Sequence, residues 1–179
     1  MQNDYCVVSA REGKQGEISQ AADLYCNVWR EWPWLENNWT RNTIIQEIID
    51  VAQEDDAICF FSKLYQELVG FSWGYFVSKE KLRKISGDMC LDYIFGDNDK
   101  IFYVSELGVK MAHRCCGVGA DITGKLMESA GRKGATVFVL RTDIKALPAR
   151  SLYAKLGFIE LPVSDRKYKY RTYWLKKIS

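Results

Sequence analysis

The stretch from Ile101 to Ala120 reads IFYVSELGVKMAHRCCGVGA and changes character half-way along. Its first nine residues are mostly apolar, which is typical of a buried strand. Two glycines, Gly117 and Gly119, then lie where the strand pattern gives way to a helical one, and Arg114 is the only bulky side chain of the segment 114–120. N–H groups at the start of a helix lack intrahelical partners and carry the positive end of the helix dipole. The stretch therefore predicts a backbone site for an anion such as a diphosphate, with close packing as the alternative use of the glycines.

Two other kinds of phosphate loop do not fit these letters. A Walker loop needs a Lys-Ser/Thr pair after its second glycine, and that pair is missing here. A dinucleotide fingerprint needs G-x-G-x-x-G after the first strand, whereas Gly117, Gly119 and Gly124 have another spacing and lie late in the chain. The sequence therefore predicts neither ATP hydrolysis nor a nicotinamide cofactor.

Outward from this stretch, strand and helix patterns alternate. Before it, the periodicity predicts a strand over Cys6–Ala10, helices over Gly16–Arg30 and from a Thr40 cap to Val51, and a hairpin of Ala57–Lys63 with Leu68–Val77. After it come the strand TVFVLRTD, the helix ALPARSLYAKLGF and closing strands over Phe158–Leu161 and Tyr168–Ile178. Lys79–Asp99 is polar and reads as an insertion with one helical turn. This order predicts an α/β fold, with a mixed sheet of about six to seven strands and helices on both faces.

Length and composition predict one globular domain over residues 1–179. Hydrophobic residues make up 47% of the chain and charged residues 27%, far from the composition of disordered proteins. No apolar run reaches the length of a membrane span, and the N-terminus lacks a basic stretch followed by an apolar one. We therefore expect a cytoplasmic protein without a membrane partner.

Cysteine spacing and charge argue against a metal and against nucleic acid. Four of the six cysteines lie in apolar stretches where free thiols commonly pack, and none has C-x-x-C spacing. With His113 as the single histidine, we expect reduced thiols and no metal. The formal net charge of +2 is too small to indicate nucleic-acid binding, and the basic KYKYRTYWLKK segment alternates like a solvated strand.

Two motifs in the right order resemble the GCN5-related N-acetyltransferase (GNAT) superfamily. ELGV at 106–109 followed by RCCGVGA at 114–120 is similar to that family's L-x-V and R/Q-x-x-G-x-G/A, and LYAKLGF at 152–158 is similar to the end of its second signature. The resemblance covers Lys100 to Phe158. Met111 replaces a proline common in relatives, and Ala146 replaces an asparagine that touches the cofactor.

The resemblance implies acetyl-CoA as co-substrate, with no metal. In this family the strand carrying Leu107 splays from the next parallel strand, and the pantetheine arm inserts beside it. Backbone groups left without strand partners need a substitute, which the cofactor supplies. The Val109 N–H would polarise the thioester carbonyl and stabilise the oxyanion. The implied cofactor-binding residues are Leu107, Gly108, Val109, Met111, Arg114, Cys115, Cys116, Gly117, Val118, Gly119, Ala120 and Ser151.

Glu106 and Tyr153 are the predicted catalytic residues. An amine is mostly protonated at neutral pH, so a group must accept its proton. Glu106, at the end of an apolar strand, is the predicted base, and its alternative role is that of a surface carboxylate or of a strand-end salt bridge. By resemblance Tyr153 protonates the departing thiolate, and its alternative role is that of a core aromatic. His113 is expected to be a solvated loop residue or a minor contact of the diphosphate, and direct transfer is favoured over acetylation of Cys115 or Cys116.

Tryptophans concentrate between the first two helices, where the resemblance places the acceptor pocket. Of Trp29, Trp32, Trp34 and Trp39, we select Trp34 and Trp39 as substrate-binding residues, because ring faces attract ammonium groups. Glu31, Glu36, Asp97 and Asp99 could add charge. Packing of the helices on the sheet is the alternative explanation.

The sequence leaves the acceptor open among small amines, aminoglycosides, peptide N-termini and lysine side chains. Ala146 and Met111 mildly support a second function, a sensor that binds acyl-CoA without catalysis. Relatives often form homodimers, and the sequence does not decide this point.

Overall fold

A computed structural model describes residues 5–13, 15–87 and 92–178. Its helices and strands are β1 Tyr5–Ser9, α1 Gln15–Arg30, α2 Arg41–Gln53, β2 Ala57–Leu64, β3 Glu67–Val77, α3 Lys79–Ile85, β4 Ile101–Val109, α4 Val118–Arg132, β5 Val137–Asp143, α5 Leu147–Lys155, β6 Ile159–Ser164 and β7 Arg171–Lys177. Within the described residues, seven strands form one sheet in the order β1-β2-β3-β4-β5-β7-β6. The pair β4–β5 is parallel, and the recorded pairs β1–β2, β5–β7 and β6–β7 are antiparallel. The predicted α/β class with a mixed sheet is confirmed.

Two helices, α2 and α3, begin directly after residues whose side chains cap them. The Thr40 side chain accepts a hydrogen bond from the Thr43 N–H, as predicted, and α2 begins at the next residue, Arg41. Ser78 does the same for α3 through the Lys81 N–H. Local chemistry therefore fixes where these two helices begin.

The chain divides into two compact units, each with a core of its own. The first unit comprises residues up to Gly74 and residues 106–129. Its core is aromatic: Tyr25 stacks on Trp73 with ring centroids 5.6 Å apart, and Phe71 contacts both rings. The apolar stripe of α2 supplies Ile44, which is fully buried. This unit holds α1, α2 and the start of α4.

The second unit comprises residues 75–105 and 130–179. Its core includes Tyr103, Val139 and Tyr173, and Leu82 and Phe95 of the predicted insertion pack with them. The insertion therefore contributes to a core in addition to forming the predicted helical turn. Residues 88–91, including Cys90, lie outside the described residues, so the expected free thiol there is not tested.

The connection between β6 and β7 is organised by one buried carboxylate, Asp165. It accepts hydrogen bonds from the Arg141 guanidinium at 2.8 Å and the Tyr173 hydroxyl at 2.7 Å. It also accepts the backbone N–H groups of Lys167 and Tyr168. Burial alone would raise the pKa of Asp165, but these hydrogen bonds and the charge of Arg141 hold it below its usual value. This turn explains why the last strand begins three residues later than predicted.

Thiol burial divides the described cysteines into two groups. Cys26 and Cys59 are buried free thiols, as expected from their apolar surroundings, whereas Cys6, Cys115 and Cys116 are exposed. Among the described residues, no helix combines the length and apolarity needed to cross a membrane.

Candidate functional site

The last residues of β4 turn their main-chain groups in two directions. The Lys110 N–H donates to the Val69 carbonyl on β3, and the Glu106 carbonyl accepts from the Ser72 hydroxyl on the same strand. Because main-chain groups alternate sides along a strand, those of Leu107 and Val109 face away from β3. The recorded parallel pairing of β4 with β5 ends at Val104–Leu140, and β4 continues for five more residues.

Gly108 is required by the packing of this strand. A Cβ atom placed at Gly108 would overlap the ring of Phe71, which is fully buried. The ring therefore occupies the space beside the strand that a side chain at 108 would need. This contact fixes the path of β4 between Leu107 and Val109, two of the residues predicted to bind the cofactor.

The loop after β4 ends in an open helix start. Met111–His113 form a 3₁₀ turn, and then Cys115 and Gly117 take left-handed backbone angles, with φ of 61° and 92°. The first intrahelical hydrogen bond of α4 runs from Asp121 N–H to the Gly117 carbonyl at 3.0 Å. The N–H groups of Val118, Gly119 and Ala120 precede that bond, as the sequence predicted.

Arg114 does not point freely into the loop. Its Nε donates to the Val109 carbonyl at 2.9 Å, and its Nη2 forms an ion pair with Glu31 at 2.5 Å. The sequence predicted a cation here but not these partners. Glu31 follows α1 directly and is separated from Arg114 by more than 80 positions in the chain.

His113 has a partner that the sequence did not indicate. Its Nδ1 lies 3.3 Å from the Tyr5 hydroxyl on β1, and the two rings meet edge to face. Three residues before His113, Lys110 forms an ion pair with Glu67 at the start of β3. His113 thus ties the loop to β1, and the expectation that it is not catalytic stays a prediction.

A family model described as Acetyltransferase (GNAT) family matches residues 22–158. The chain belongs to the GNAT acetyltransferase family. Since the match spans both sequence motifs, the predicted membership is confirmed. Among curated proteins, none matches the sequence significantly.

Solved structures share the GNAT fold at low sequence identity. PH1933 from Pyrococcus horikoshii OT3 superposes with a TM-score of 0.71 at 16% identity, covering 98% of this chain and 99% of that chain. The paia N-acetyltransferase from Thermoplasma acidophilum, in complex with coenzyme A, gives 0.67 at 12% identity, covering 98% and 99%. The yncA structure from Salmonella typhimurium, with its cofactor acetyl-CoA, gives 0.69 at 13% identity, covering 99% and 95%. At these identities the likeness shows the fold alone.

In this GNAT-family chain, the predicted base Glu106 is half-buried, with its Oε2 atom shielded from solvent. It acts electrostatically on Tyr25, which is buried. Burial is the main cause that raises the pKa of Tyr25, and the carboxylates of Glu106, Glu47 and Glu36 raise it further. Carboxyl groups from β4, from α2 and from the segment between α1 and α2 therefore act on one ring.

Glu47 is a further candidate for a functional carboxyl group near Tyr25, and the sequence analysis did not predict it. It lies on α2, in the same face as Ile44 and Ile48, and is half-buried. Burial raises its pKa, and a hydrogen bond with Trp73 opposes part of that rise. The sequence did contain a sign of this residue. Glu47 is a carboxylate within the apolar stripe of α2, and a carboxylate in such a position needs a buried partner.

The two tryptophans predicted to bind substrate also make packing contacts. The Trp39 indole N–H donates to Glu36 Oε2 at 2.7 Å, and its ring meets Tyr25 edge to face. Trp34 contacts Trp29, with ring centroids 4.6 Å apart. Both rings are partly exposed, so packing leaves part of their surface accessible.

The remaining predicted residues lie on or beside α5, in the second unit. Tyr153 is 6% exposed, and its ring packs against Phe158 and Trp174, as expected for its alternative role in the core. Ser151 is exposed on the helix. Ala146 is buried just before α5 and offers that helix no side-chain cap.

No group of three His, Cys, Asp or Glu side chains suited to a metal ion occurs among the described residues. The predicted absence of a metal from the reaction stays a prediction.

Proposed function

We propose that this chain is an acetyl-CoA-dependent N-acetyltransferase that transfers an acetyl group to a primary amine by direct attack. The observation that carries the proposal is the end of β4, where the main-chain groups of Leu107 and Val109 face away from β3 and lead into an open helix start. Strand-edge groups of this kind need hydrogen-bond partners. A pantetheine arm, with its two amides, can supply them.

Residues of the first unit fit the cofactor's polar groups. The open N–H groups of Val118, Gly119 and Ala120, with the exposed backbone of Cys115–Gly117 beside them, suit a diphosphate. Leu107, Val109 and Met111 would hold the pantetheine amides. When bound, the cofactor supplies an activated acyl thioester. The Val109 N–H is then the donor that polarises its carbonyl.

Proton transfer falls to Glu106 and Tyr153. Glu106 accepts a proton from the incoming ammonium, so that the amine nitrogen gains a lone pair. As the new C–N bond forms and the C–S bond breaks, Tyr153 donates a proton to the sulfur that leaves. The attacking nitrogen releases its second proton to solvent, and Tyr153 regains a proton from solvent, so the reaction releases one proton overall. Glu106 is half-buried and its Oε2 atom is shielded from solvent, which suits a base that takes its proton from a bound substrate.

The acceptor in this proposal is a cationic amine. Trp34 and Trp39 offer partly exposed ring faces, which attract ammonium groups by about 0.5–2 kcal/mol. Glu106, Glu47 and Glu36, which act electrostatically on Tyr25, would add long-range attraction in their charged forms. These features support a positively charged acceptor and do not distinguish among amine classes.

A thiol-release assay tests the proposal. Purified protein is incubated with acetyl-CoA and a panel containing butylamine, 1,4-diaminobutane, an aminoglycoside, a peptide with a free N-terminus and a lysine peptide. Amine-dependent release of CoA is expected, with release in the absence of amine as the blank. Binding of CoA with no release from any amine would favour the sensor, and absence of CoA binding would refute both functions.

A further inference from the structure

The Arg114–Glu31 ion pair joins two parts of the chain to which the proposed function gives separate tasks. Arg114 begins the loop that heads α4, and its Nε holds the carbonyl of Val109. Glu31 begins the segment between α1 and α2, and its carbonyl accepts the N–H of Trp34. The two charged side chains are 32% and 24% exposed, so water screens the pair only in part.

Both contacts of Arg114 compete with the proposed ligands. The Val109 carbonyl is one of the groups that face away from β3, where the pantetheine arm is proposed to pair. A diphosphate at the start of α4 would attract the same guanidinium, because arginine binds phosphate with paired hydrogen bonds. Arg114 can therefore exchange its present partners for the cofactor.

We propose that Glu31 is an acceptor-binding carboxylate that Arg114 neutralises until acyl-CoA draws the guanidinium away. This inference rests on the proposed function. Once Arg114 has moved to the diphosphate, Glu31 is a half-buried carboxylate without its counter-ion, which is costly. The ammonium group of the acceptor restores the pairing. Acyl-CoA binding thus precedes and strengthens acceptor binding.

This exchange makes a signed prediction for Glu31→Gln. The variant lacks the competing carboxylate, so Arg114 is available to CoA from the start and CoA binds more tightly. The same variant lacks the charge for the ammonium group, so the KM for amine rises. A purely structural ion pair predicts the opposite for CoA, because its loss would loosen the loop and weaken binding.

The experiment measures CoA affinity by calorimetry and the KM of the panel amine with the highest turnover, in the wild type and in Glu31→Gln. We expect CoA to bind roughly 5-fold or more tightly and the amine KM to rise by a similar factor, as for a typical coupling between sites. Glu67→Gln is the matched control, since it removes the partner of Lys110 beside the same loop. It should change neither quantity.

Unchanged or weaker CoA binding in Glu31→Gln would overturn the inference. If that variant does not fold, the wild type decides: saturating CoA must tighten amine binding, and the amine must tighten CoA binding by the same factor. No coupling would equally overturn it. Failure of the wild type to bind CoA refutes the proposed function instead, so the two failures are distinguishable.

Discussion

The exposed thiols of Cys115 and Cys116 provide a test of the proposed ligand binding at the loop. Both are exposed, as is Cys6 on β1, whereas burial raises the pKa of Cys59 and keeps that thiol unreactive. We expect CoA at 100 times its Kd to slow alkylation of the loop pair by up to about 100-fold, since only the free protein exposes them. Mass spectrometry of peptides after N-ethylmaleimide treatment measures this. Cys6 is the internal control, and equal labelling with and without CoA would contradict the placement of the cofactor.

The contribution of the Tyr153 hydroxyl can be tested separately from that of its ring. Tyr153→Phe keeps the contacts with Phe158 and Trp174 and removes only the proposed proton donor. Turnover should fall by about 100-fold or more, as for loss of a general acid, with CoA affinity within about twofold of the wild type. Steady-state kinetics and calorimetry measure the two quantities. Tyr65→Phe, at an exposed tyrosine, is the control, and unchanged turnover in Tyr153→Phe would remove this residue from the mechanism.

The position of strand β4 depends on residue 108 being glycine, which has no side chain. Gly108→Ala puts a Cβ into the ring of Phe71, and overpacking of this kind costs about 1–3 kcal/mol. We expect lower stability in urea unfolding and weaker CoA binding, because the strand must shift. Gly124→Ala is the matched control: nothing lies within 4 Å of its Cβ in α4, so it should stabilise by about 0.5–1 kcal/mol. Equal behaviour of the two variants would contradict the packing argument.

The β6–β7 connection depends on the charge of Asp165. Its folded-state pKa is below the unfolded value of about 3.9, so its contribution is complete above that pH and is lost as the pH falls through the folded value. Asp165→Asn leaves Arg141 buried without its counter-ion and should cost about 3–5 kcal/mol at pH 7. The deficit should shrink on acidification. Urea unfolding between pH 3 and 7 measures this, with the fully exposed Asp55→Asn as control. A deficit independent of pH would contradict the electrostatic account.

The whole chain should respond to CoA as a folded protein responds to a ligand of its native state. At 100 times its Kd, a ligand adds about 2.7 kcal/mol to the free energy of unfolding. For a chain of this length that corresponds to a rise in Tm of roughly 5–10 °C. Differential scanning fluorimetry measures the shift. Pantetheine at the same concentration as CoA should give a smaller rise, because it lacks the diphosphate and binds more weakly. An equal rise at that concentration would argue against the α4 loop as the diphosphate site.

Elements and motifs were largely readable from the sequence, because they depend on short-range rules. Thr40 capped its helix, apolar periodicity located α1 and α2, and Gly117 and Gly119 marked the start of α4. The family motifs were recognised for the same reason, since each lies within a few consecutive residues. The fold class followed from the order of these elements.

Tertiary structure alone decided which distant side chains meet. Glu31 pairs with Arg114, Tyr5 with His113 and Asp165 with Arg141, and none of these pairs follows from spacing along the chain. Glu47 became a candidate only when its carboxylate reached Trp73 on another element. Periodicity fixes which face of a helix is buried, whereas charge pairing depends on the distance between side chains from different elements. That distance is set by the packed core and not by local sequence.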